Sequence, residues 1–263
     1  MVEKNEKYWA LILGGSSGLG LASAKKLSSE GFNICIVHRN SRAEMSEISL
    51  EFNEIRSQNN SFQNFNLDAL NAESQIKIIE ELKSVLAENG KIKVLVHSIA
   101  KGNLKAMVSE DENTLSIDDF LITFQAMAVS LYDWTHLLFQ NKLFAKDSRI
   151  IAFTSEGSTK PWKFYAAVSA AKASLEAISR SIALEFAPFG IKCNCIQAGV
   201  TETRSLKMIP GSEDLIKNSI QRNPNKRLTT PEDVANVVSL LCRDEAKWIT
   251  GNIISVDGGE HLN

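Results

Sequence analysis

Neither a dominant charge, nor a cysteine framework, nor a long hydrophobic run marks the 263-residue chain. Its 29 Lys and Arg stand against 31 Asp and Glu for a formal net charge of -2, so no global basic field draws it to nucleic acid or to an anionic membrane. Its four cysteines, Cys35, Cys193, Cys195 and Cys242, lie far apart except for one C-x-C pair inside an apolar run. They read as buried thiols in a reducing cytosol, with no metal site. No apolar segment approaches the ~20 residues that a membrane span needs. The opening stretch MVEKNEKYWALILGG holds an apolar run too short for a secretion signal, so a cytoplasmic location is expected. Proline is scarce at five residues, and no linker rich in Pro, Gly or Ser, no repeat and no low-complexity block divides the chain. A single domain over 1–263 is the expectation.

What is present is a globular composition, 44% hydrophobic and 23% charged, with a regular rhythm. Short runs of Ile, Val and Leu alternate with longer amphipathic stretches, which predicts an α/β fold with a doubly wound parallel sheet of about seven strands. The strands are expected at Ala10–Leu13, Asn33–Val37, Ser61–Asn66, Val94–His97, Arg149–Thr154, Lys192–Gln197 and Ile253–Val256. Helical spacing runs over Leu19–Glu30, Ala43–Gln58, Ala72–Glu88, Ile117–Leu143, Phe164–Phe186 and Pro231–Cys242. The least regular part, Gly199 to Asn225, contains Pro210 and Pro224. A long segment of weak pattern in a compact domain is usually functional, and a lid around 200–225 is expected.

Gly14-Gly15-Ser16-Ser17-Gly18-Leu19-Gly20 falls directly between the first strand and the first helix. There, small residues let the backbone approach a pyrophosphate, and the helix N-terminus offers free N–H groups; without that placement the same residues would read as a tight turn. After the second strand comes His38-Arg39-Asn40-Ser41-Arg42, two arginines and no carboxylate. This suits a ribose 2′-phosphate better than a 2′-hydroxyl, although a solvated turn has the same composition. Further on, Tyr165 stands seven residues before Lys172, while the position four before Lys172 is Val168, which transfers no proton. Seven residues on a helix bring two side chains back to nearly the same face.

The glycine spacing resembles that of the short-chain dehydrogenase/reductase superfamily. The Y-x6-K pair, together with His97-Ser98-Ile99-Ala100 where most members carry N-N-A-G, resembles its enoyl-[acyl-carrier-protein] reductase branch. The match is nearest to the NADPH-dependent enoyl reductase III subtype, since Ser155, ten before Tyr165, agrees with it. Ser17 does not, because that subtype has arginine there, and the His97 quartet belongs more to the other subtype. Phe124 to Val129 lacks the asparagine of many ketoreductases, and Val256-Asp257-Gly258-Gly259 resembles the superfamily's closing motif.

The resemblance implies NADPH as cofactor, with NADH as the alternative, and reduction of the 2,3 double bond of a trans-2-enoyl thioester in fatty acid biosynthesis. Tyr165 would stabilise or protonate the enolate oxygen, Lys172 would orient phenol and ribose, and Ser155 would assist substrate binding. The cofactor would be held by Gly14, Ser16, Ser17, Gly18, Leu19 and Gly20, and by Arg39, Asn40 and Ser41. Asp68 and Ala69, then Ser98, Ile99 and Ala100, then Lys172, Thr201 and Thr203 would complete its contacts. Asp68 taken alone could equally cap a helix, His97 could be a satisfied buried histidine, and Lys172 a surface helix charge. The implied partners are an acyl carrier protein bearing the thioester, for which Arg204 and Lys207 are docking candidates or equally ordinary solvated charges, and further copies of the chain in a homodimer or homotetramer. Two other readings stay open: a short-chain reductase of a ketone or another activated alkene, and a nucleotide-sensing protein without turnover.

Overall fold

The computed structural model describes residues 7–58, 60–110, 114–209 and 211–263, so Pro210 lies outside the described residues. Seven parallel strands, β1 (Lys7–Leu13), β2 (Asn33–His38), β3 (Phe62–Asn66), β4 (Gly90–His97), β5 (Phe144–Ser155), β6 (Ile191–Ala198) and β7 (Ile253–Val256), form one sheet. Their order is β3-β2-β1-β4-β5-β6-β7. The chain reverses its winding between β1 and β4, and the carboxyl ends of those strands open the crevice where ligands of such sheets bind.

The strands are apolar at successive positions because both faces are covered. Ala10, Ile12, Ile34, Ile36, Val94 and Val96 pack with Leu27 of helix α1 (Gly18–Ser29), Phe52 of α2 (Met45–Arg56) and Val238 of α9 (Pro231–Cys242). The alternate residues Leu11, Leu13, Cys35, Val37 and Leu95 face α3 (Ala72–Leu86), α5 (Ser130–Gln140) and α6 (Ala166–Glu185). Trp134 of α5 is fully buried there, and its indole N–H donates to the Ala69 carbonyl at 2.9 Å. All four cysteines are free and buried. Among the described residues no helix is long and apolar enough to cross a membrane.

Two expected elements differ. The single helix expected over Ile117–Leu143 is divided into α4 (Ile117–Phe124), a π-helical turn (Gln125–Val129) and α5. Side chains explain the break in register: Thr123 Oγ1 donates to the Asp119 carbonyl at 2.7 Å and Ser130 Oγ to the Ala126 carbonyl at 2.8 Å, so hydroxyls compete for the ladder on either side of the bulge. The weakly patterned Gly199 to Asn225 segment contains α7 (Arg204–Lys207) and α8 (Ser212–Arg222). Helix α8 escapes a periodicity search because Leu215, Ile216 and Ile220 are its only apolar residues.

Candidate active site

A pocket opens at the carboxyl ends of β1, β4, β5 and β6. Gly14, Ser17, Gly18 and Leu19 form one wall, Ser98, Ile99 and Ala100 the floor after β4, and Ser155, Tyr165 and Lys172 the opposite side. Thr201 and Thr203 close it from β6. Gly14 takes φ +81, and a Cβ there would lie 2.6 Å from the Ser98 carbonyl oxygen, so the loop can run against β4 only with glycine. Ser17, ahead of α1, makes no side-chain cap and the first turn of α1 holds no acid. The first-turn amides are therefore left to an anion in the pocket, and the cradle fits a dinucleotide pyrophosphate.

Tyr165 is not inside the helix but at its N-cap, with φ -109 and ψ 3. Its carbonyl already accepts the Ser169 amide at 2.8 Å, so the side chain keeps the direction of the first helical turn and shares the pocket with Lys172. Phe164 before it adopts φ +65, a left-handed turn for which a Phe gives up about 1–2 kcal/mol and which swings the chain into α6. Burial pushes the Tyr165 phenol above its ordinary pKa while the neighbouring Ser155 hydroxyl draws it part of the way back. The phenol therefore carries its proton at neutral pH. Ser155 Oγ is buried and otherwise without a regular hydrogen-bond partner. Lys172 is buried in α6 and donates to the Phe153 carbonyl at 2.7 Å; burial lowers its pKa to about 8, opposed by the Glu176 carboxylate.

His97 points to Ser130 Oγ at 2.7 Å. Because Ser130 donates its own proton to Ala126, His97 Nε2 is the donor in that pair. Burial first and the Lys172 charge second push the His97 pKa down to about 3, so the ring is neutral at working pH and serves as a structural link between β4 and α5.

The remaining sequence-predicted residues lie outside this pocket's lining. Ser16 of the loop and Gly20 in the first turn of α1 do not reach the pocket surface, and Arg39, Asn40, Ser41, Asp68 and Ala69 gather at the ends of β2 and β3. Arg39 Nη1 meets Asp68 Oδ2 at 2.7 Å, and the Asn40 amide donates to Asn66 Oδ1 at 2.9 Å. Asp68 does not cap α3; Asn71 does, accepting from the Ser74 amide at 2.9 Å, while Asp68 Oδ1 accepts from Leu70 in a local turn. Glu44, two residues past the arginines, accepts from both the amide and the hydroxyl of Ser41 at 2.9 Å. Its second oxygen meets Arg204, whose hydrogen bond, followed by those of Ser41, lowers the Glu44 pKa to about 2. Lys207 faces Glu202 at 3.3 Å, so both cations expected at an acidic carrier's docking face already have carboxylate neighbours. Thr203 Oγ1 accepts from the Leu206 amide as the cap of α7.

Sequence reading missed the apolar side of the pocket. Leu104, Met127, Trp162, Val168 and Ile209 surround the Tyr165 ring, with the Trp162 and Tyr165 centroids 5.2 Å apart. Gly157 was missed as well: a Cβ there would stand 2.6 Å from Tyr165 Cε1. Glu156 and Glu260 also line the site, and Arg222 bridges the two from outside the pocket. The signal for Glu156 and Glu260 was only their position beside Ser155 and Gly259.

The chain is similar to known reductases over nearly its whole length. The NADH-dependent enoyl-[acyl-carrier-protein] reductase of Enterococcus faecalis is 28% identical over 262 residues, covering 100% of both chains. The NADPH-dependent enzyme of that name from Staphylococcus aureus is 27% identical over 98% of this chain and 97% of its own. The 3-oxoacyl-[acyl-carrier-protein] reductase of Staphylococcus epidermidis reaches 28% over 96% and 98%. The crystal structure of the NADH-type enoyl-[acyl-carrier-protein] reductase of Aquifex aeolicus superposes with a TM-score of 0.81 at 26% identity, covering 98% of each chain. Residues 14–261 match the family described as enoyl-(acyl carrier protein) reductase, and the chain belongs to that family, within the short-chain dehydrogenase/reductase superfamily.

Proposed function

We propose that the protein is an NADPH-dependent reductase of trans-2-enoyl thioesters borne on an acyl carrier protein, of the enoyl reductase III kind, working in cytoplasmic fatty acid biosynthesis. The observation that carries this reading is a buried, protonated Tyr165 seven residues before Lys172, with the apolar Val168 at the offset where ketoreductases keep their acid. The apolar surround of Leu104, Met127, Trp162 and Ile209 suits an acyl chain. Arg39 and Arg42 favour a 2′-phosphate, while the Glu44 carboxylate beside Ser41 and the NADH-dependent relatives keep NADH as the alternative. The segment 200–225 acts as the substrate lid, and the chain works as a homodimer or homotetramer.

When bound, the nicotinamide would supply a hydride to C3 of the substrate, with a proton from solvent completing C2. Negative charge then develops on the C1 oxygen, two bonds from the carbon attacked, and the Tyr165 hydroxyl donates a hydrogen bond or its proton there. Lys172, anchored on the Phe153 carbonyl, keeps two further N–H groups for ribose hydroxyls, and its positive charge favours the developing anion. Ser155, with its free hydroxyl beside the phenol, orients the thioester oxygen. That same serine, and relatives that reduce 3-oxoacyl thioesters, favour one second reading, reduction of a ketone.

Following nicotinamide absorbance with NADPH and NADH, each with a 2-enoyl and a 3-ketoacyl thioester, separates the two. Oxidation of NADPH by the enoyl substrate is expected; oxidation by the ketoacyl substrate alone overturns the proposal. Tyr165→Phe is expected to lower turnover by about a hundredfold or more with cofactor affinity nearly unchanged, and unaltered turnover removes Tyr165 from the chemistry.

A further inference from the structure

Arg222, the last residue of α8, carries two carboxylates on one guanidinium nitrogen: Nη2 lies 2.7 Å from Glu156 Oε2 and 3.1 Å from Glu260 Oε1. Both acids are buried, at 9% and 3% exposure, so neither can turn to water for solvation. Their surroundings tie the cluster to the pocket from three directions. Glu156 follows Ser155 directly and opens the short 3₁₀ turn Glu156–Ser158. Glu260 starts the final turn of the chain, and its other oxygen accepts from the Val200 amide at 3.3 Å, just after β6. Lys160 Nζ lies 2.5 Å from the free oxygen of Glu156, which brings the cluster to two cations against two anions. Burial works to raise the Glu156 pKa, but the hydrogen bonds and charges of Lys160 and Arg222 bring it below the usual carboxylate range.

This resting arrangement is costly unless it is complete. Removing Arg222 leaves two buried carboxylates facing each other with one partly exposed lysine between them and solvent, and such groups move apart or admit water. The backbone segments they hold would move with them: the Ser155 end of β5, which Glu156 follows, and the Val200 to Thr203 wall, which Glu260 holds through the Val200 amide. The helix itself would stay attached, since Asn223 Nδ2 donates to the Asp257 carbonyl at 2.8 Å and Asn263 Nδ2 to the Arg222 carbonyl at 2.9 Å. The guanidinium is thus placed to set the spacing of the two walls, separately from holding α8 down.

We propose that Arg222 is a positioning residue for reduction: by bridging Glu156 and Glu260 it fixes the distance between the Ser155 side and the Val200 side of the pocket. The inference rests on the reading of this pocket as a nicotinamide-dependent reductase site. The test compares full-length Arg222→Ala, Arg222→Lys and Glu260→Gln with the unmodified protein. Turnover is followed with NADPH and an enoyl thioester, NADPH affinity by fluorescence titration without substrate, and folding by thermal melting. For Arg222→Ala, kcat is expected to fall about tenfold and the NADPH Kd to rise about threefold or more. Arg222→Lys, which keeps the charge but loses the fork, should recover part of both losses. Combining Arg222→Ala with Glu260→Gln should harm less than the two effects summed. Equal kcat and Kd in all variants, or a lowered melting temperature with the kinetics of the folded fraction unchanged, overturns the proposal. If the unmodified protein reduces no thioester, the reading of its substrate fails, while the NADPH titration still decides whether Arg222 sets the pocket wall.

Discussion

Gly157, against the Tyr165 ring, and Lys172 of the pocket carry measurable consequences that follow from single contacts. The Gly157 Cα faces the Tyr165 ring so closely that an added methyl would stand 2.6 Å from Cε1 and 3.0 Å from Cδ1. The ring cannot retreat, because Trp162 and Val168 pack against it. Gly157→Ala is therefore expected to displace the phenol and lower turnover by about ten- to a hundredfold, with NADPH affinity by titration close to that of the unmodified protein. Lys172 sets a pH limit. Burial brings its pKa from 10.5 down to about 8, so it is charged below that pH and loses its charge as the pH rises through it. The expected outcome is a kcat/KM that falls above about pH 8, with no such limb in Lys172→Met, which should be slow at every pH. The same depression means that the unfolded chain holds more protons than the folded one between about 8 and 10.5. Stability lost to burying this charge is thus felt in full below about pH 8 and recovered as the pH climbs. His97, by contrast, should contribute no limb near neutrality, because burial and Lys172 keep it neutral.

At the scale of elements, the clearest sequence signals were short apolar strand runs and helical spacing. Helix α9 starts where its spacing predicts, and the structure shows a reciprocal capping box there: Thr230 Oγ1 accepts from the Asp233 amide at 3.2 Å and Asp233 Oδ2 from the Thr230 amide at 2.9 Å. Thr230→Ala should lower stability by about 1 kcal/mol, read as a shifted denaturant midpoint at unchanged slope. Strand β7 and helix α9 have the bounds their patterns predict. The π-helical turn could not be read, since it depends on which hydroxyls fold back on the ladder and on the packing of Met127 beneath Tyr165. Helix α8 was hidden for a different reason: it carries only three apolar residues, and part of its hold on the body is polar, through Arg222 and Asn223.

For the whole molecule, the alternation of Ile12 and Leu13, or of Val94 and Leu95, between two buried faces already required a sheet covered on both sides. The glycine loop between β1 and α1 and the Tyr165 to Lys172 spacing then pointed to one end of that sheet. These signals are local: each rests on residues within a turn or two of one another, where backbone geometry links spacing to direction. The partners that complete the site are not local. Glu44 meets Arg204, Glu156 meets Arg222 across 66 positions, and Glu260 meets the Val200 amide across 60. Sequence alone determined the fold class, the nucleotide-binding end and the Y-x6-K pair, because helical and strand periods and small residues in a strand-to-helix turn have few other uses. Only the tertiary structure decided that Tyr165 stands at the helix cap against Gly157, that Arg204 faces Glu44, and that one half-buried guanidinium joins three segments. Pairing of charges across the fold depends on how the chain closes in space, and no spacing along the chain records it.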